Sequence, residues 1–234
     1  MDRNTHDALR RDGDGYHARN YAGIGTIADP IFDQLCLIHE TEPITSLLEV
    51  GCTNGFRLEK ARKAFAARCC GLEVSSAAIS EGTTKFPEVE IVEGVAPSDL
   101  NFWDDLTFDT VVVGHFEYLL PRSELFALAS EIDRLLRDGG HLVVMDFLYP
   151  HAVSAPYTHD DQLRVFKHDP SRPWTWSPTY SLIGRQVYGL TQDPPKRKDP
   201  RAWQTVDVVR KLTCAEAYPE INSLPSVHDE GSHA

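Results

Sequence analysis

The stretch with the most chemistry in its spacing is Glu49-Val50-Gly51-Cys52-Thr53-Asn54-Gly55, which closes a short apolar run and opens a helical one. Glycine at Gly51 and Gly55 lets a turn take positive φ and lets a ligand approach the backbone. The helix that follows would offer free N–H groups and the positive end of its dipole to a carboxylate or phosphate. A tight strand-to-helix turn without a ligand is the alternative. The dinucleotide fingerprint G-x-G-x-x-G is not met, since Gly51 is followed by Thr53 and Gly55, with Leu58 in a later slot.

A second motif is Gly71-Leu72-Glu73-Val74-Ser75. It places an acid at the end of a strand, about 20 residues after the first loop, where a carboxylate can accept both ribose hydroxyls of an adenosine. An ordinary acid at a helix N-terminus is the competing reading. Val92-Glu93-Gly94-Val95-Ala96 offers backbone against which an adenine could lie. Phe108 to Tyr118 runs through Val111-Val112-Val113 to Gly114, His115 and Glu117. It ends a doubly apolar strand at the carboxyl edge, where open α/β sheets bind ligands.

Chemistry at a hydroxyl oxygen needs a base to remove its proton, and imidazole is the commonest. The candidates on loops past the fourth and fifth strands are His115, Glu117, Asp146, His151, His159 and His168. His159 is the favoured base, set among Tyr157, Asp160 and Asp161; a surface histidine in a polar loop is the plain alternative. His115 is the second candidate. His141 follows a turn and reads as structural, and His228 and His233 as solvated. Trp174 and Trp176 could stack an acceptor or simply cover a sheet edge.

These residues need a frame. Apolar residues from Pro30 to His39 recur at helical spacing. Strands at Ser46–Val50, Cys69–Val74, Val89–Val92, Phe108–Gly114 and His141–Phe147 alternate with helices at Gly55–Arg68, Ser75–Phe86 and Arg122–Leu136. Asp138-Gly139-Gly140 reads as the turn into the fifth strand. Such alternation predicts a doubly wound, mostly parallel α/β sheet covered on both faces. Tyr180–Gly189 and Trp203–Leu212 read as two late strands forming an antiparallel hairpin, joined by a Pro- and Lys-rich loop from Asp193 to Pro200. Residues 151–179 show no clear period.

With these motifs in hand, Ser46 to Phe147 resembles a class I S-adenosylmethionine-dependent methyltransferase of the methyltransferase-11/25 type. Leu48–Gly55, Gly71–Ser75, Phe108–Val113 and Leu135–Leu142 carry the resemblance. It implies a seven-stranded Rossmann-like sheet with antiparallel C-terminal strands and S-adenosyl-L-methionine as cofactor. It also implies that Glu49, Gly51, Cys52, Thr53 and Gly55 form the methionine-side loop. Glu73 and Val74 would serve the ribose, Gly94, Val95 and Ala96 the adenine, and Gly114 and His115 the floor. The family loop often has glycine where this chain has Thr53. Pro156–His159, Phe166–Asp169 and Val206–Lys211 resemble a subgroup associated with bacterial surface-sugar and secondary-metabolite genes.

The expected organisation is a flexible arm over residues 1–25 that could serve as a lid, a single methyltransferase domain over 26–212 with an acceptor-side insertion at 151–180, and a disordered tail over 213–234. The expected reaction is methylation of a small molecule, on oxygen of a sugar-like or natural-product hydroxyl. A non-catalytic adenosylmethionine-binding protein and a nicotinamide-dependent dehydrogenase are the alternatives. With 23 basic against 35 acidic residues the formal charge is −12, which disfavours nucleic acid and anionic membranes as partners. The Lys196-Arg197-Lys198 run reads as a solvated loop. Five cysteines without C-x-x-C spacing fit a reducing cytoplasm and argue against a zinc site or disulfide set. No span or signal segment is apparent. A monomer or homodimer is expected.

Overall fold

The computed structural model describes residues 3–20, 29–189 and 203–220. At its centre is a seven-stranded sheet of order β3-β2-β1-β4-β5-β9-β8. Its parallel part is β1 (Ser46–Val50), β2 (Arg68–Glu73), β3 (Glu90–Glu93), β4 (Phe108–Gly114) and β5 (Leu136–Phe147). β9 (Trp203–Lys211) runs antiparallel to β5, and β8 (Tyr180–Gly189) antiparallel to β9 at the edge. The doubly wound sheet and its late hairpin are therefore as the alternation and the resemblance implied.

Strand periodicity explains why both faces are apolar. Leu48, Val111, Val113, Leu142 and Val144 point to one side, into a cluster with Leu128, Ile132 and Leu135 of α5 (Arg122–Leu135). Leu47, Val112 and Val143 point to the other. They pack on Ile31 and Leu35 of α2 (Pro30–Thr41) and on Leu58 and Ala61 of α3 (Phe56–Phe65). Successive side chains alternate faces, so a strand buried twice reads as an unbroken apolar run. Each such Leu or Val, removed from water, stabilises the fold by about 1.5–3 kcal/mol.

The expected turn at Asp138-Gly139-Gly140 lies instead inside β5, as a wide irregularity. Phe108 pairs with Leu136, yet Thr110 pairs with His141. Gly139 takes φ +80, and a Cβ at Gly140 would meet the Asp109 carbonyl oxygen at 2.7 Å. The glycines thus allow extra residues to loop out without ending the strand.

Residues 151–179, patternless in the sequence, hold β6 (Val153–Pro156), β7 (Arg164–Lys167) and the short α6 (Arg172–Thr175). β6 and β7 form a separate antiparallel pair. α4 (Ser76–Lys85) follows β2, its N-terminus capped by the Ser75 hydroxyl, which accepts from Ala78 N–H.

Within the expected arm, Arg3–Asn20 forms one helix, α1, of 18 residues. Its Ala8 and Leu9 are buried with Val95, Tyr118, Leu119, Leu163 and Val165. The polar composition hides this, because tertiary ion pairs dock the helix. Arg10 meets Glu93 at 2.6 Å, Arg11 meets Asp160 at 3.2 Å and His17 meets Glu81 at 2.6 Å. Gly13 serves close approach, since a Cβ there would meet Val74 Cγ1 at 2.6 Å. The expected disordered tail begins with a capped turn, α7 (Cys214–Ala217), closed by reciprocal bonds between Thr213 and Glu216. Residues 21–28, the Asp193–Pro200 loop with Lys196–Lys198, and 221–234 with His228 and His233 lie outside the described residues. No helix among the described residues is long and apolar enough to cross a membrane.

Candidate active site

The carboxyl ends of β1, β2, β3 and β4 converge under α1 and enclose a cavity. Its floor is backbone. Gly51 turns at φ +76 and donates its N–H to Leu72 O at 2.8 Å. Thr53 follows at φ +51, a conformation that a β-branched residue rarely takes. It is held by its own N–H, which donates to Glu73 Oε2 at 2.7 Å. Glu73 Oε1 accepts from Val74 N–H at 2.9 Å and Ser75 N–H at 2.8 Å. One buried carboxylate therefore ties three backbone donors from two loops. Burial pushes its pKa up, and those three donors pull it back.

Of the residues the sequence nominated, Gly51, Thr53, Glu73, Val74, Gly94, Val95, Ala96, Gly114 and His115 line this cavity. Glu49, Cys52 and Gly55 do not line it. Glu49 is buried against Arg57, which also pairs with Asp29 at 2.9 Å. Burial raises the Glu49 pKa to about 7, with Arg57 opposing. The group braces the loop against α2 rather than facing a ligand. Cys52 turns into the core, so close to Gly71 that a Cβ there would meet its Sγ at 2.3 Å. Gly55 caps α3 at φ +75, with Ile91 where a side chain would go. Asn54 Oδ1 accepts from Phe56 N–H at 3.2 Å, which satisfies one of the helix donors the sequence had offered to a ligand.

α1 supplies the roof with Leu9, Asp12, Gly13 and Tyr16, none of which the sequence reading singled out. Gly13 and Gly15 in a helical register were the available signal.

Two features test the cofactor fit. Thr53 Oγ1 is buried on the cavity wall and has no hydrogen-bond partner among the described residues. The charged side chains lining the cavity are Asp12 and Glu73, with no Lys or Arg among the described residues. A pyrophosphate would meet the carboxylates of Asp12 and Glu73 here, which weighs against a nicotinamide dinucleotide. A ligand with a sulfonium and an ammonium, a ribose and a flat base fits the two acids, the free hydroxyl and the apolar Val95-Ala96 edge.

A second cavity adjoins the first and shares Tyr16 and Tyr118 with it. β6, β7 and the end of β5 form its walls. Asp146 holds the shared edge, accepting from Tyr118 N–H at 3.0 Å and Phe147 N–H at 2.7 Å. Burial drives the Asp146 pKa to about 7, and Glu117 adds to the rise.

The proposed bases separate. His159 is exposed and lines the second cavity, its ring 5.2 Å from that of Tyr157. His115 lies in the first, at φ +50, its N–H donating to Met145 O at 2.7 Å. Burial, with Arg57 adding to it, lowers its pKa to about 4, so its ring is neutral near pH 7. His168 turns away and pairs with buried Glu117 at 2.9 Å. His151 is exposed and lines neither cavity. His141 lies on β5 opposite Arg210. Trp174 is buried in the core with its ring 6.4 Å from that of Tyr180, whereas Trp176 is exposed. Trp174 packs against the sheet, and neither ring lines either cavity.

The sequence matches a methyltransferase-domain family over residues 47–140. No curated protein matches the chain. Solved structures share the fold at low identity. A Methanosarcina mazei S-adenosylmethionine-dependent methyltransferase is 19% identical, with a TM-score of 0.58 over 75% of this chain and 97% of its own. The Burkholderia thailandensis 1,6-didemethyltoxoflavin-N1-methyltransferase, solved with 1,6-didemethyltoxoflavin and S-adenosylhomocysteine, is 14% identical, at 0.66 over 88% of each chain. The N-methyltransferase NodS of Bradyrhizobium japonicum, solved with S-adenosylhomocysteine, is 18% identical, at 0.60 over 90% of this chain and 100% of its own.

Proposed function

The sequence matches a methyltransferase-domain family over residues 47–140, and on that premise we propose that the protein uses S-adenosylmethionine to methylate a hydroxyl of a small natural-product acceptor held in the second cavity. The observation that carries this reading is the meeting of the two cavities at Tyr16 and Tyr118. One cavity has the acids and strand ends suited to the donor. The other is walled by aromatic rings and, Tyr118 apart, formed by residues outside the matched domain. The Burkholderia relative, solved with a small heterocycle beside S-adenosylhomocysteine, supports a small-molecule acceptor.

When bound, the cofactor supplies an electrophilic methyl group and leaves as S-adenosylhomocysteine, the bonding pair staying on sulfur. The protein's part is alignment and proton removal. Thr53 Oγ1 and the Glu73 carboxylate would hold the polar end and ribose of the donor, and Val95 and Ala96 its base. Tyr16 and Tyr118 set the approach between the cavities, and α1 keeps water from the reacting groups. His159 Nε2 or Nδ1 takes the hydroxyl proton as the new C–O bond forms. Residues 151–180 act as the acceptor-side insertion.

Calorimetry with S-adenosylhomocysteine and with NADH tests the donor: the first should bind in the micromolar range and the second should not. Tritiated methyl transfer to pooled phenolic and glycosidic compounds tests the chemistry, since a non-catalytic binder labels nothing. His159→Ala should slow transfer about a hundredfold. Transfer at the parent rate would remove His159 from the reaction.

A further inference from the structure

The second cavity is walled by rings, those of Tyr118, Phe147, Tyr149, Tyr157 and His159. Its described lining holds two cations, Arg19 and Lys167, and no carboxylate, in a chain of formal charge −12. The two cations are not equivalent. Arg19 donates to Asp12 at 3.0 Å and to Tyr157 Oη at 3.4 Å, so its charge is already answered. The Lys167 ammonium makes no hydrogen bond or ion pair with any described residue. Its ammonium lies 3.8 Å from the centre of the Phe147 ring and 5.5 Å from that of Tyr149.

Ring faces attract an ammonium but accept none of its three N–H donors in the way an oxygen does. The residue is partly buried. Burial pushes its pKa below the ordinary lysine value, with Asp146 opposing. Asp146 is a weak counter-charge, because its own carboxyl is held near a pKa of about 7 and its two oxygens accept backbone N–H groups. Lys167 therefore stands at the end of β7 with its charge unanswered and a stack of rings beside it. The neighbouring His168 takes the opposite direction, toward Glu117.

We propose that Lys167 is the anion-binding residue of the acceptor cavity, and that the acceptor is a planar ring compound bearing a carboxylate or similar acidic group. This rests on reading the second cavity as the acceptor site. The rings would sandwich the plane of the acceptor, and Lys167 would receive its anion through charge-assisted bonds. A neutral sugar would leave the ammonium unanswered.

The test uses the protein saturated with S-adenosylhomocysteine and matched probes: benzoate, 4-hydroxybenzoate, 2-naphthoate and indole-3-carboxylate, each beside its neutral carboxamide. Calorimetry should show at least one acid binding about tenfold tighter than its amide. Lys167→Met should erase that preference and Lys167→Arg keep it, with S-adenosylhomocysteine affinity and melting temperature unchanged in both. Equal binding of acids and amides, binding of no acid, or an acid preference that survives Lys167→Met would overturn the proposal. Failure of the parent protein to bind S-adenosylhomocysteine would instead overturn the methyltransferase reading beneath it.

Discussion

The floor and the roof of the donor cavity are held by different kinds of bond. The floor is strand ends and loops, fixed by backbone groups on a single buried carboxylate, Glu73. The roof is α1, tied down by side-chain ion pairs such as Arg10–Glu93 and Arg11–Asp160, whose partners are partly exposed. Exposed pairs contribute about 0–1 kcal/mol each, whereas leaving a buried donor unsatisfied costs about 1–3 kcal/mol. The floor is thus the rigid half and the roof the half that can open, and a donor enclosed beneath α1 needs such an opening to enter.

The largest effect should come from the floor. Glu73→Ala orphans the N–H groups of Thr53, Val74 and Ser75 and should lower the unfolding free energy by about 3 kcal/mol, measured by urea denaturation. S-adenosylhomocysteine binding should fall beyond detection with it. A variant as stable as the parent would mean that these loops find other acceptors, and the floor would lose its special status.

Leu9→Ala should loosen the roof by about 2 kcal/mol through the cavity it leaves. Hydrogen exchange should then quicken across α1 while protection in β1 and β4 stays as it was. Exchange that rises equally in the sheet would show one cooperative unit and erase the contrast.

Thr53→Gly asks what the floor's strain is for. Removing a side chain from φ +51 should raise stability by about 1 kcal/mol. Affinity for S-adenosylhomocysteine should nevertheless fall several-fold, because the buried Oγ1 is lost. A gain in both would make Thr53 a defect rather than a binding group.

The fourth test is a pH profile at the wall of the donor cavity, where His115 lies. His115 has its pKa lowered from 6.5 to about 4 by burial. A depressed histidine contributes stability that is complete above pH 6.5 and is lost as pH falls toward 4. The stability difference between the parent and His115→Asn, which suits φ +50, should therefore grow as pH rises from 4 to 6.5 and then level off. A flat difference over that window would place His115 in contact with solvent.

The contrast also separates what the sequence displayed from what it concealed. Leu47-Leu48, Val111-Val112-Val113 and Leu142-Val143-Val144 announce doubly buried strands, and Gly51 and Glu73 announce a loop and acid at the right interval. These are local patterns with a local cause. Glu49, Cys52 and Gly55 belong to the same loop, yet their side chains serve α2, the core and the α3 cap. The pattern marks the loop without saying which members face the ligand. α1 was hidden because its apolar residues are few and its partners, Glu93, Asp160 and Glu81, are remote in the chain. Lys167 was hidden for the same reason: nothing in Phe166-Lys167-His168 says which of the three meets a ring wall.

By itself, then, the sequence determined the alternation of strands and helices, the glycine turn and the acid spaced for an adenosine, because period and turn chemistry act between near neighbours. Tertiary structure alone decided that a polar helix closes the donor cavity, that Tyr16 and Tyr118 join it to a second one, and that an unanswered ammonium stands among aromatic rings there. Those facts depend on which distant side chains meet, and that is set by the packing of the whole sheet.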